Sequence, residues 1–258
     1  MKLTVLGCWG AYPYQGQGTS SYLLESAGFH LLIDAGSTTL VQLEKILDPL
    51  KLDAVILSHY HHDHIADLGV LQYYRQLYPT LTPTPVLPIY GHTEDRNHFD
   101  ELTLSGVSEG HAYFEAEELK LGPFLITFMK TIHPVPCYAM RIVEASTGKV
   151  LVFTGDSGYL ESFIPFAQSA DVFLVDTYLF EGNENHHAHF TAKEAGTIAK
   201  AAKVKKLILT HLPQHGSLIE LKAQAQKAAG SHLPVVLAQP QLVIEITNEA
   251  MNKGVNKQ

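Results

Sequence analysis

"SHYHHDHIADLGV", residues 58–70, places four histidines and two aspartates in thirteen positions. Imidazole is the commonest neutral metal ligand and carboxylate the commonest anionic one, so a dense mixture reads first as a metal site. Residues two apart in an extended segment point the same way, which lets His59 and His61 reach one ion while His62 points elsewhere. If the chain then turns into a helix, Asp63 and His64 face a second ion beside the first. Leu68, Leu71, Tyr74 and Tyr78 recur at helical spacing directly afterwards.

Zinc usually takes about four ligands, three of them from protein at a catalytic site, so the rest of the chain must complete both sets. Apolar runs rich in β-branched and aromatic residues read as strands: KLTVLG, SSYLLES, FHLLIDAG, AVILSH, LPIYGH, FLITFMKTIH, CYAMRIVEA, KVLVFTGDS, DVFLVDTYL, KKLILTH and QLVIEIT. Three of these runs deliver a ligand at their end, namely His133, Asp156 and His211. The count then closes with His59, His61 and His133 on one ion, Asp63, His64 and His211 on the other, and Asp156 bridging.

Ala195, Ile198, Ala199 and Ala202 mark a second helix face. Thr191 with Glu194, and Ser217 with Glu220, spell the S/T-x-x-E capping box that starts a helix. AVILSH is echoed by LILTH, and LLIDAG by VFTGDSG, which suggests two similar halves. No linker or low-complexity tract divides them, so residues 1–250 read as one layered α/β domain and 251–258 as a frayed tail.

The bulk numbers exclude several classes. The chain has 258 residues, 46% of them hydrophobic and 17% charged, enough for a large core. Its net charge of −8 gives no general field for a nucleic-acid backbone. Residues 3–24 carry no charge but are broken by Gly7, Gly10, Pro13, Gln15, Gln17 and Gly18, so neither a membrane helix nor a signal peptide fits. Cys8 and Cys137 form no CxxC pattern, which argues against a disulfide framework or a thiolate zinc site and for a cytoplasmic protein.

"SHYHHDH", "TIHPVPCYAM", "FTGDSG" and "LTHLPQH" resemble the successive metal-ligand motifs of the metallo-β-lactamase superfamily, and "LLIDAG" resembles its early strand ending in an aspartate. The resemblance covers nearly the whole chain. It implies a four-layered αββα sandwich of two pseudo-symmetric halves with the metals at one edge, and a homodimer. His61 stands where the redox di-iron members carry a carboxylate, and nitrogen-rich sites suit zinc better than such a centre. Two Zn²⁺ ions, with Mn²⁺ as the alternative, and hydrolysis are therefore expected.

Within the superfamily, "LGCWGAYP" resembles the opening of the tRNA 3′-end processing endonucleases (RNase Z). "AHFTAKEAGTIAKAA" resembles their HST loop and following helix, with His189 and Thr191 at the matching positions. That loop falls at a helix N-terminus, where free N–H groups and the dipole favour a phosphate. Only 22 residues separate His133 from Asp156, room for two strands and a turn but not for the long arm that grips tRNA. The expected activity is that of a phosphodiesterase acting on a small phosphodiester or a short RNA end. Asp63 would orient the nucleophile and accept its proton, while His189 would stabilise phosphoryl charge or protonate the leaving oxygen. A thioester or lactone hydrolase, and a metal-binding sensor or assembly protein without turnover, are the alternatives. His186 and His187 read as solvated, His92 and His215 as lining the cleft, and His30, His98, His111 and His232 as surface or satisfied core residues.

Overall fold

Leu31, Leu32 and Ile33 are consecutive residues of one strand, yet they enter two different cores. Successive side chains of a strand point to opposite faces, so Leu31 and Ile33 join the core between two sheets while Leu32 joins a core under helices. Ala54 and Ile56 divide from Val55 and Leu57 in the same way. Nearly continuous apolar runs therefore mark a sheet covered on both faces.

The computed structural model describes residues 1–79 and 84–247, so the tail expected at 251–258 lies outside the described residues. The first sheet holds β1 (Lys2–Gly7), β2 (Ser21–Ser26), β3 (Phe29–Ala35), β4 (Ala54–Ile56), β5 (Leu87–Gly91) and β6 (Ser108–Ala112). The second holds β7 (Leu119–Leu121), β8 (Phe124–Lys130), β9 (Tyr138–Glu144), β10 (Val150–Phe153), β11 (Val172–Asp176), β12 (Leu207–Thr210) and β13 (Val235–Leu237). A last strand, β14 (Val243–Glu245), returns to pair with β1. The helices are α1 (Thr39–Leu43), α2 (His62–Ile65), α3 (Leu68–Leu77), α4 (Arg96–Glu101), α5 (Phe163–Phe166), α6 (Ala192–Ala201) and α7 (Leu218–Ala229). Leu43, Leu68 and Leu71 cover the outer face of the first sheet, and Phe163, Ile198 and Leu221 pack with the second. This is the αββα sandwich expected.

The sheet orders are β14-β1-β2-β3-β4-β5-β6 and β7-β8-β9-β10-β11-β12-β13 read from matching ends. In each, four strands run antiparallel to their neighbours and three more follow in parallel. The two halves therefore repeat one pattern. LLIDAG and VFTGDSG fall on the matching strands β3 and β10. AVILSH and LILTH do not, because the match of β4 is β11 and not β12.

Three strands have no counterpart among the sequence expectations: β6, β7 and β13. All three lie at sheet edges, where strands are short or polar and lose the apolar signal. On α3 the buried residues are Leu68, Leu71, Gln72 and Arg75, whereas Tyr78 is exposed. The buried guanidinium of Arg75 donates to the carbonyls of Pro49, Leu50 and Pro85. On α6, Ala195, Ile198, Ala199 and Ala202 are fully buried. The Thr191–Glu194 capping box is reciprocal, whereas Ser217 accepts from the Glu220 N–H alone. Among the described residues no helix is long and apolar enough to cross a membrane.

Candidate metal centre

Parallel strands that end together bring isolated side chains side by side. Asp176, the last residue of β11, is in register with Thr210, and His211 follows directly. Asp156 lies beyond the end of β10, and His133 beyond the end of β8. Facing them, β4 runs out through Ser58, His59 and Tyr60 to His61, which is extended at the N-cap of α2. Asp63 and His64 occupy the first turn of that helix.

The side chains fall into three groups, in each of which the ligand atoms lie within 4.8 Å of one another. One holds His59, His61, His133 and Asp156, a second holds Asp63, His64, Asp156 and His211, and a third holds Asp156, Asp176, His189 and His211. The first two bring together the sets written from the sequence, with Asp156 common to both, and the third adds Asp176 and His189 beside His211. Its Oδ2 lies 3.2 Å from His211 Nε2 and 3.7 Å from His59 Nε2, and its Oδ1 lies 3.2 Å from His64 Nε2. His61 Nδ1 and His133 Nε2 face each other at 2.9 Å.

Buried atoms without partners show what this arrangement fits. Nε2 of His59, Nε2 of His64 and Oδ1 of Asp156 are buried and make no hydrogen bond among the described residues. Such groups are costly unless something absent from the chain satisfies them, and a nitrogen-rich set with one shared carboxylate suits Zn²⁺. The outward nitrogens are held as metal-binding imidazoles usually are, by oxygen acceptors or hydroxyls. His59 Nδ1 lies 3.0 Å from Ser58 Oγ, His64 Nδ1 is 2.7 Å from Asp34 Oδ2, and His133 Nδ1 is 3.1 Å from the Ala188 carbonyl. His211 Nδ1 lies 3.3 Å from Asp176 Oδ1, an ion-pair contact without a well-aligned hydrogen bond.

Charges differ between the first two groups. Burial holds the imidazoles of His59, His61 and His133 below the ordinary histidine value. Burial lowers His64 and His211 too, but carboxylates outweigh it. Asp156, Asp63 and Asp34 raise His64 well above its ordinary value, and Asp156 with Asp176 lifts His211 to about 10. For Asp156 burial favours the neutral form, yet His211, His64 and His59 keep the carboxyl well below the usual range. The second group thus stores protons that an arriving cation would displace.

Two residues outside the expected set organise the centre. Asp34 accepts from the Ser58 N–H at 2.7 Å, from Ser58 Oγ at 2.8 Å and from His64. Asp176 contacts both His211 and, at 2.8 Å, Nδ1 of His189. Each is a carboxylate at a strand end, the same signal that pointed to Asp156, and "LLIDAG" and "FLVDTYL" both carried it. Asp34 and His211 also adopt left-handed backbone, φ 55° and 50°, which is uncommon for non-glycine residues.

His189 lies beside the first two groups, its ring centroid 5.6 Å from His133 and 5.1 Å from His211. Burial lowers its proton affinity, but the Asp176 carboxylate more than restores it and leaves it raised. The expectation that free N–H groups of the following helix receive a phosphate needs correction. The Ala192 N–H is bonded to the Leu179 carbonyl, and those of Thr191 and Glu194 are used in the capping box. The "LGCWGAYP" loop reaches the centre as well, where Ala11 N–H donates to Asp63 Oδ2 at 2.7 Å. Gly10 permits that approach, since a Cβ there would lie 2.7 Å from the His211 ring. His186, His187 and His215 are exposed, while His92 and His98 line a cavity next to His61.

Residues 30–212 match the family model described as "Beta-lactamase superfamily domain". The chain is 46% identical to "Probable metallo-hydrolase YhfI" of Bacillus subtilis, over 88% of this chain and 93% of that one. The crystal structure of YhfI superposes with a TM-score of 0.89 and 43% identity, covering 95% of this chain and 99% of that one. "Ribonuclease Z" of Anoxybacillus flavithermus is 27% identical, over 82% of this chain and 86% of that one.

Proposed function

The chain belongs to the beta-lactamase superfamily as a metallo-hydrolase, and we propose that it is a dinuclear phosphodiesterase acting on a small phosphodiester or a short RNA end. His59, His61 and His133 would hold one ion, Asp63, His64 and His211 the other, and Asp156 both. Zn²⁺ suits this donor set, with Mn²⁺ as the alternative. When bound, the ions supply Lewis acidity to a phosphoryl oxygen and lower the pKa of water towards neutrality.

The observation that carries the phosphodiester reading is His189, an imidazole that the two ligand sets above do not use, grouped with Asp156, Asp176 and His211 and with Nδ1 2.8 Å from the buried Asp176 carboxylate. With its proton affinity raised by the Asp176 carboxylate, His189 presents Nε2 as a donor to a phosphoryl or leaving oxygen. Asp63 accepts the proton of the attacking water, its carboxylate held by the Ala11 N–H. Ribonuclease Z as a relative supports the same bond type. The segment from His133 to Asp156 is filled by β9, a short turn and β10, which supports the expectation that no tRNA arm is present.

His189→Ala tests this reading. It should retain metal and fold while lowering turnover of a chromogenic phosphodiester by roughly 10²-fold, in kcat as well as kcat/KM. Unchanged turnover in a metal-replete variant, or preferential hydrolysis of a chromogenic thioester by the unmodified protein, would reject it in favour of a carbonyl hydrolase.

A further inference from the structure

Behind His61 lies a space that the chemistry above does not use. It is a cavity of about 150 Å³ whose lining includes Tyr60, His61, His92, Asp95, His98 and Pro136. A cavity of about that volume accommodates one aromatic ring. One wall is the imidazole of a proposed metal ligand, so a molecule seated here reaches towards the centre.

His92 is the residue that asks for a ligand. It is 2% exposed, and neither ring nitrogen makes a well-aligned hydrogen bond among the described residues, although the Pro136 carbonyl faces the ring. Burial keeps it neutral, its proton affinity pushed down to about 4. A neutral imidazole offers one donor and one acceptor; the Pro136 carbonyl can take the donor, and an apolar occupant would leave the acceptor unpaired.

The surroundings hold that ring in place. Tyr60 donates its hydroxyl to the His92 carbonyl at 2.7 Å, and its ring centroid lies 4.5 Å from His92 and 5.6 Å from a nearly parallel His98. Gly91 makes room for this, since a Cβ there would lie 2.2 Å from the Tyr60 hydroxyl. His98 is fixed in turn by Asp95, whose carboxylate lies 2.7 Å from Nδ1, so its Nε2 remains for a ligand. Rigid aromatic and imidazole planes with alternating donors and acceptors match a nucleobase, which is recognised by stacking and by its hydrogen-bonding edges.

Resting on the phosphodiester reading, we propose that this cavity receives the base of a nucleotide substrate whose phosphate lies on the His59–His211 centre. The test titrates metal-loaded protein with uridine 5′-monophosphate, whose base is a single ring, ribose 5-phosphate and uridine. The nucleotide should bind about tenfold or more tightly than ribose 5-phosphate, as stacking of one base implies. His92→Phe, which keeps a ring and removes an unpaired polar group, and His98→Ala, at a half-buried site, should each reduce that ratio to below about threefold. Equal binding of the two phosphates, or a preference that survives both substitutions, would overturn the proposal. Failure of the phosphodiester reading shows separately, as a metal-replete protein that turns over a thioester and no phosphodiester. Uridine alone then decides the pocket: binding that is lost in His92→Phe supports it, and no binding, or binding indifferent to both substitutions, rejects it.

Discussion

Asp34 and Asp156 sit at corresponding places in the two halves, one within β3 and the other just past β10, and they have become different things. Asp34 is saturated by the Ser58 backbone, the Ser58 hydroxyl and His64. Asp156 is surrounded by imidazole nitrogens and keeps Oδ1 without a hydrogen-bond partner among the described residues. The same residue type on the same repeated strand is a brace in one half and a proposed ligand in the other. What separates them is whether the protein itself satisfies the carboxylate. The halves differ accordingly, since the first delivers four ligands from one short segment and the second delivers three from separate strand ends.

The comparison breaks most directly at Asp156. Asp156→Ala should lower turnover by about 10³-fold or more, about 4 kcal/mol in the barrier, and should loosen both ions. Metal analysis after dialysis checks this. Loss of a single ion would show that the carboxylate does not serve both sets.

The two ligand groups should also load differently with pH. His64 and His211 are raised, so near neutrality they carry protons that binding must expel, whereas His59, His61 and His133 are lowered and already neutral. Affinity at the second group should therefore rise with pH up to about 10, the value for His211, by about tenfold per unit for each proton displaced. Affinity at the first group should be flat above the ordinary histidine range. Calorimetry in buffers of different ionisation enthalpy reads the protons released, and two steps with the same pH dependence would remove the distinction.

Asp34→Asn and Asp176→Asn test the braces. Each should cost about 10 to 100-fold in metal affinity, the usual effect of losing a partner behind a ligand. Asp34 supports His64 and, through Ser58, His59, so its loss should weaken both ions. Asp176 supports His211 and His189, so its loss should weaken the second ion and also move the alkaline limb of the pH profile for turnover to lower pH, because His189 then gives up its proton more readily. Equal effects of the two substitutions on both ions would contradict the contacts that separate them.

How much of this was legible follows from the same contrast. The 58–70 segment could be read by itself, because strand alternation and one helical turn fix where His59, His61, Asp63 and His64 point. His133, Asp156 and His211 were legible as polar residues ending apolar strands, and the sheet register then brings them together. Asp34 and Asp176 ended strands too, but no spacing rule tells a brace from a ligand. His92 was expected at the cleft, but how it pairs with His98, read as a surface or core residue, was harder still. Their cavity depends on how Tyr60 packs under Gly91, a tertiary relation with no local pattern.

The smallest effect concerns the helices that follow the histidine-bearing loops. At α6 the cap is reciprocal: Thr191 Oγ1 accepts from the Glu194 N–H, and Glu194 accepts from the Thr191 N–H and, through its other oxygen, from Asn185. At α7, Ser217 accepts one bond from Glu220 at an exposed position. Thr191→Ala should therefore destabilise the fold by about 1–2 kcal/mol and Ser217→Ala by about 0.5–1 kcal/mol, the upper and lower parts of the range for lost N-caps. The Thr191 change carries a second consequence, because the 185–191 segment it anchors holds His189 against Asp176. Turnover should fall in Thr191→Ala even at temperatures where the protein stays folded, and Ser217→Ala should leave it alone. Equal stability losses with no change in turnover would mean that Asp176 positions His189 without help from the cap.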